Sequence, residues 1–159
     1  MPPAPRFLGL DPETVPARRG SGYPALFGEP VARREKRRLG PELGLTQFGV
    51  NLVTLPPGCW SSQRHWHSHE DEFVYVLDGE LTLVTDAGEQ VIDRGMSAGF
   101  PAGTADGHHL VNRTDKPARY LEVGSRREEV DEVFYSDIDM EIRQRGGRQT
   151  FVRKSGEPY

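Results

Sequence analysis

The chain has 159 residues, of which 35% are hydrophobic and 28% charged, with a formal net charge of −4. That length suits one folded domain with its own hydrophobic core. The acidic balance argues against general nucleic-acid binding, and no apolar run approaches membrane-spanning length. The opening Met1-Pro2-Pro3-Ala4-Pro5-Arg6 lacks the apolar stretch of a secretory signal, and the one cysteine, Cys59, cannot close an internal disulfide. Both features lead to the expectation of a reducing, cytoplasmic setting.

Residues 1–44 read as an irregular arm, because prolines at 2, 3, 5, 12, 16, 24, 30 and 41 deny it long helices. The basic run Arg33-Arg34-Glu35-Lys36-Arg37-Arg38 is read as a solvated charged segment, with an anionic ligand or partner as the alternative. Residues 45–125 carry short strands punctuated by turns. Phe48 to Leu55 is rich in β-branched and apolar residues and is stopped by Pro56-Pro57-Gly58. Phe73 to Leu77 and Glu80 to Thr85 follow, and Asp78-Gly79 between them predicts a tight hairpin. Gln90 to Ile92 is a short return strand, Phe100 to Gly103 a corner, and His108 to Arg113 and Ala118 to Val123 two further strands. Strands this short and evenly spaced predict an all-β fold, a small barrel or jelly roll. Residues 126–159 hold too few apolar residues for an independent core and are read as an appendage packed on the barrel.

All five histidines fall in two clusters, His65, His67 and His69 in the first and His108 and His109 in the second. Imidazole is the commonest metal ligand among side chains. Strand alternation lets His65 and His67 point one way while Trp66 points the other. Ser68-His69-Glu70-Asp71 then serves as a turn that restores Glu72 to the same interior, with Val74 and Val76 behind it. His108, Leu110 and Asn112 share a face in the second cluster. Three imidazoles and one carboxylate on a divalent ion leave open positions for an oxygen-rich, anionic ligand. Val74, Val76 and Leu110 are the expected pocket wall, and Asn112 either touches the ligand or holds its strand. Phe100 lines the pocket or belongs to the core, and Cys59 is a small buried residue. No separate general base is evident, although Glu72 could leave the metal and act as one.

These motifs resemble those of the cupin superfamily. The first cupin motif matches as Gly58, then His65-Trp66-His67, four residues, Glu72, six residues and Gly79; the second matches as Gly95, Pro101, Gly103, His108 and Asn112. His109 competes with His108 but breaks the three-residue spacing to Asn112. The resemblance covers roughly residues 45–125, and the outer segments look similar to those of small single-domain bacterial cupins. It implies a double-stranded β-helix, or jelly-roll barrel, with one divalent transition metal ion (Fe, Mn, Ni, Cu or Zn) on His65, His67, Glu72 and His108. His69 falls outside the pattern, beside the site or on the surface. The activity implied is a metal-dependent enzyme acting on a small oxygen-rich metabolite, either a dioxygenase or an isomerase, epimerase or lyase. The alternative is a non-catalytic ligand-binding or sensory cupin, and a storage or scaffold role is the third reading. A homodimer is expected, because the exposed edges of a single jelly roll are commonly covered by a partner subunit.

Overall fold

A computed structural model describes residues 9–159, so Pro2, Pro3 and Pro5 of the predicted arm lie outside the described residues. The described strands are β1 (Arg18–Arg19), β2 (Glu35–Arg38), β3 (Phe48–Leu55), β4 (His65–His67), β5 (Glu72–Asp78), β6 (Glu80–Thr85), β7 (Gly88–Asp93), β8 (Ser97–Phe100), β9 (His109–Val111), β10 (Ala118–Ser125), β11 (Val133–Tyr135), β12 (Glu141–Arg145) and β13 (Arg148–Val152). They form an all-β jelly roll in which every ladder is antiparallel. One layer is a six-stranded sheet in the order β1-β2-β3-β10-β5-β8. The other combines β7-β6-β9 with β13-β12-β11-β4, joined by the backbone bridge between His65 and His108. Among the described residues no helix is long and apolar enough to cross a membrane.

The alternation of side chains decides what each layer buries. Val53 and Leu55 of β3, Ala118 and Tyr120 of β10 and Val74 and Val76 of β5 meet Leu81, Leu83, Ile92 and Leu110 of the opposite layer in the main core. On the outer face, Leu52 packs with Val15 and Leu39 of the N-terminal region. The basic run is not a solvated stretch, as the sequence reading had it. Glu35–Arg38 is a strand on the edge of β3, Lys36 pairs with Glu122 at 2.7 Å, and Arg37 lies 3.3 Å from Glu13. The half-buried charges of Lys36 and Arg37 are tolerated because Glu122 and Glu13, from distant parts of the chain, meet them.

The predicted hairpin at Asp78-Gly79 is also corrected. β5 pairs with β10 and β8, whereas β6 pairs with β7 and β9, so the dipeptide carries the chain from one layer to the other. Gly79 has φ +79°, and a Cβ there would lie 2.9 Å from Ala118 Cα and 3.1 Å from Pro117 O. Backbone atoms cannot yield as a flexible side chain can. Gly79→Ala should therefore cost about 3 kcal/mol, combining the left-handed penalty with the clash. Urea unfolding of the variant checks this, and a loss below about 1 kcal/mol would contradict the geometry.

Besides β1 and β2 of the arm, two regions carry strands that the sequence reading left unassigned. One is β8, between the turn at Asp93-Arg94-Gly95 and the corner at Pro101. The other is the C-terminal segment, where β12 and β13 form a hairpin across Gly146-Gly147, both with positive φ as primed turns require. β11 pairs directly with β4, placing Tyr135 opposite His65 and Val133 opposite His67. Val133, Tyr135 and Met140 form a second apolar cluster with Tyr23, Phe27 and Phe151.

Candidate metal centre

Backbone pairing brings the imidazoles together. Alternation along β4 sends Trp66 away from its neighbours, to stack on Phe134 with ring centroids 4.4 Å apart. The bridge between His65 and His108 sets those residues directly opposite each other. His65 N–H donates to His108 O at 3.2 Å, and His108 N–H donates to His65 O at 2.9 Å. Opposed residues of such a bridge share a face. Glu72 comes from the facing layer, at the start of β5, after residues 68–71 have reversed the chain. Its Oε2 lies 2.7 Å from His108 Nε2, 3.4 Å from His65 Nε2 and 3.6 Å from His67 Nε2.

The rings are held from behind. His65 Nδ1 lies 2.8 Å from Gln63 O, and His67 Nδ1 lies 2.7 Å from Asp131 Oδ2. A carbonyl oxygen and a carboxylate can only accept, so each Nδ1 carries the proton and each Nε2 turns a lone pair to the centre. Phe100, opposite Glu72 in the β5–β8 ladder, lies flat against His108 with centroids 3.5 Å apart and planes 1° apart. This donor set fits a divalent transition metal ion: nitrogen and oxygen donors converge, and two of the three imidazoles are already in the metal-binding tautomer. A second trio, His67, Glu70 and Asp131, also lies close together. Its carboxylates are engaged elsewhere: Glu70 Oε1 accepts from Arg127 N–H at 2.6 Å, and Asp131 Oδ1 from His69 N–H at 2.8 Å and Glu70 N–H at 3.2 Å.

Charge follows the same pattern. Burial would raise the Glu72 carboxyl, but the hydrogen bond from His108 and the neighbouring His65 and His67 imidazoles outweigh it and hold the group well below the usual range. Burial pulls His108 down. Burial would also pull His67 down, yet Asp131 and Glu72 raise it overall. Burial likewise pushes the Cys59 thiol up, which suits an inert core residue.

The structure thus groups His65, His67 and Glu72 as possible metal donors and sets His108 Nε2 2.7 Å from Glu72 Oε2. His109 is turned away, with Nδ1 3.0 Å from Ser62 O and its ring against the edge of Trp60. His69 is exposed, its Nδ1 2.7 Å from Ser68 Oγ. Val74 and Leu110 line a small inner cavity of about 30 Å³ beside Glu72 and His108. Two expected pocket residues lie elsewhere. Val76 is fully buried in the core. Asn112 spends its amide on the strand connection: Nδ2 donates to Leu55 O and Lys116 O at 2.8 and 2.7 Å, and Oδ1 accepts from Thr114 N–H and hydroxyl at 3.0 and 2.8 Å. With both amide hydrogens and its oxygen engaged, Asn112 has nothing left for a ligand.

The sequence reading missed Asp131 and Glu122. Asp131 lies in no motif, far along the chain from His67, and nothing local marks it. Glu122 was readable, because alternation puts it on the same face as Tyr120. A wider cavity of about 270 Å³ meets the centre at His67 and Glu72 and is lined on its outer side by Lys36, Arg38, Asn51, Glu122 and Arg126.

The Cupin domain family model matches residues 51–124. A solved structure of a sugar phosphate isomerase from a cupin superfamily, from Silicibacter pomeroyi, is 46% identical with a TM-score of 0.90, covering 95% of this chain and 96% of that one. A structure from Acidithiobacillus ferrooxidans, provisionally assigned as a sugar phosphate isomerase, is 30% identical with a TM-score of 0.72, covering 80% and 81%. A Cupin 2 conserved barrel domain protein from Salinispora arenicola is 25% identical with a TM-score of 0.51, covering 59% and 76%. Comparison with curated proteins found no match. The chain belongs to the cupin superfamily.

Proposed function

We propose that this chain is a metal-dependent cupin enzyme that isomerises a small, oxygen-rich, phosphorylated metabolite of the sugar type, with one divalent transition metal ion held by His65, His67, Glu72 and His108. The observation that carries this reading is the convergence of three imidazole Nε2 atoms on one carboxylate oxygen beside an open cavity. A divalent ion bound there supplies positive charge that draws electron density from a substrate oxygen. Isomerisation is preferred to oxygenation because the protein 46% identical over 95% of this chain is described as a sugar phosphate isomerase.

The wider cavity offers guanidinium groups to such a substrate, beside the carboxylates of Glu70, Glu72, Glu122 and Glu128. Lys36 is matched by Glu122, but the Arg38 guanidinium makes no hydrogen bond or ion pair among the described residues. Arg126 has Glu128 at 3.7 Å as its one ion-pair partner there, and Glu128 is itself largely exposed. Guanidinium forks match phosphate oxygens geometrically. Val74, Leu110 and Phe100 would keep water from the reacting carbons.

The test is to load the protein with each candidate metal and offer a panel of aldose and ketose phosphates, following interconversion by NMR. Conversion of at least one is expected. Tight binding without conversion would make the chain a non-catalytic binding or sensory cupin, and oxygen uptake would favour the dioxygenase branch.

A homodimer in a reducing cytoplasm belongs to the same reading. Its support is the open β8 edge, the exposed Phe73, Tyr75 and Leu77 on the outer face of β5, and the free thiol of Cys59. Light scattering should return about twice the 17.8 kDa chain mass, and a value of 17.8 kDa at micromolar concentration would discard the dimer.

A further inference from the structure

Isomerisation through an enediol needs a group that carries a proton between neighbouring carbons, and Glu72 is committed to the three imidazoles. We propose that Glu122 is that group, and that the Tyr120 hydroxyl works beside it as the proton donor to the substrate oxygen. This rests on the isomerase reading above.

Tyr120, Glu122 and Gly124 alternate with Leu121 and Val123 on β10, so all three face the barrel interior. In the ladders Glu122 lies opposite Asn51 of β3 on one side and Val74 of β5 on the other. Its two oxygens are treated differently. Oε1 accepts from Lys36 Nζ at 2.7 Å and from Asn51 Nδ2 at 2.9 Å, whereas Oε2 has no hydrogen-bond partner among the described residues. Glu122 lines both the wide cavity, with His67 and Glu72, and the small inner one, with His108 and Tyr120. It therefore borders both the space for a substrate and the small inner cavity beside the metal centre. Burial would raise its carboxyl, but Lys36 outweighs burial and keeps the group ionised at neutral pH. Tyr120 is fully buried and lines only the inner cavity, with the Ser61 side chain beside its hydroxyl but no hydrogen bond formed there among the described residues. Buried hydroxyls are normally satisfied, and exceptions concentrate at functional sites. A purely structural role, tying β2 to the barrel through Lys36, accounts for Oε1. It leaves both Oε2 and the Tyr120 hydroxyl without a purpose.

The step balances. Glu122 Oε2 takes the proton from the carbon beside the carbonyl, and the electron pair of that C–H bond becomes the C=C bond of an enediol. The carbonyl oxygen receives the Tyr120 hydroxyl proton. Glu122 then returns its proton to the former carbonyl carbon, and the neighbouring hydroxyl gives its proton to the Tyr120 oxygen. The product is the isomer, and both side chains regain their starting states.

The experiment compares metal-loaded wild type, Glu122→Gln, Glu122→Asp and Tyr120→Phe on the aldose and ketose phosphate panel in D2O. NMR follows both interconversion and deuterium entry at the exchanging carbon. Metal content, melting temperature and sugar phosphate binding by saturation transfer are measured on the same samples. Glutamine can still accept from Lys36 and Asn51, and phenylalanine removes one unpaired hydroxyl, so both variants keep the fold. Glu122→Gln is expected to lower kcat and deuterium entry by about a hundred- to ten-thousand-fold, with metal content, binding and KM near wild type and partial recovery in Glu122→Asp. Tyr120→Phe should lower kcat at least about tenfold. Wild-type rates in Glu122→Gln, or conversion by the wild type with no deuterium uptake, overturn the assignment of Glu122 and leave the isomerase reading standing. Wild-type kcat in Tyr120→Phe removes Tyr120 from the step. A wild type that neither converts nor exchanges any sugar phosphate overturns the isomerase reading, and the Glu122 assignment falls with it.

Discussion

Replacing His65 and His67 together with alanine is expected to abolish metal binding. The untagged wild-type protein should carry close to one metal ion per chain by mass spectrometry, and the double variant should carry almost none. Of the four donors of the proposed site, the double substitution leaves Glu72 and His108, which come from opposite layers of the barrel. Losing one outer partner of a ligating histidine already lowers metal affinity by about 10–100-fold. Losing two direct donors should therefore exceed that range. His69→Ala and His109→Ala serve as controls. His69 is exposed, and His109 is tied to Ser62 O, so both variants should keep the metal. Metal retained by the double variant would place the ion elsewhere. A wild type that takes up none of iron, manganese, nickel, copper or zinc would remove the metal from the proposed function.

Asp131 should carry the next largest effect, through support rather than ligation. It is fully buried and serves His67 Nδ1 through one oxygen and the backbone N–H groups of His69 and Glu70 through the other. Asp131→Ala strands these buried donors, each worth about 1–3 kcal/mol when left unsatisfied. We expect about 3 kcal/mol of lost stability in urea unfolding, together with a 10–100-fold weaker metal affinity. Asp131→Asn separates the two contributions. Its amide oxygen can still accept from the loop N–H groups, so most of the stability should survive. Its NH2 then faces His67 Nδ1, which must become the acceptor, and the proton moves to Nε2 where the metal lone pair is needed. The affinity loss should therefore persist in asparagine while the stability loss shrinks. Equal metal affinity in wild type and Asp131→Asn would show that this hydrogen bond does not set the His67 tautomer.

The fold was legible because strand signals are local. Phe48–Leu55 and Glu80–Thr85 are seen with the bounds predicted for them, and the all-β jelly roll is seen as expected. The hairpin at Asp78-Gly79 failed for a physical reason. A turn dipeptide says that the chain reverses but not which strands then pair, and Gly79 passes between layers where Ala118 and Pro117 leave no room for a Cβ. β8, with its Ala98 and Gly99, lacks the β-branched run that marks a strand. The C-terminal strands were hidden because their apolar residues are too sparse for a core of their own and meet Tyr23 and Phe27 from the opposite end of the chain. Asn112 shows the limit of motif reading: its position was recognised, but its occupation by Leu55, Lys116 and Thr114 depends on the folded turn.

The sequence by itself determined the strand alternation, the segregation of all five histidines into two clusters, and the spacing that sets His65, His67 and Glu72 against His108. Those are properties of neighbours along the chain, governed by the two-residue period of a strand and by residue chemistry. Tertiary structure alone decided that Asp131 backs His67, that Phe100 lies flat on His108, and that Lys36 and Asn51 hold one oxygen of Glu122 while leaving the other free. Each of these joins residues far apart in sequence. The contact exists only after the layers have closed, because burial then removes water as the competing partner and leaves these polar groups to satisfy one another.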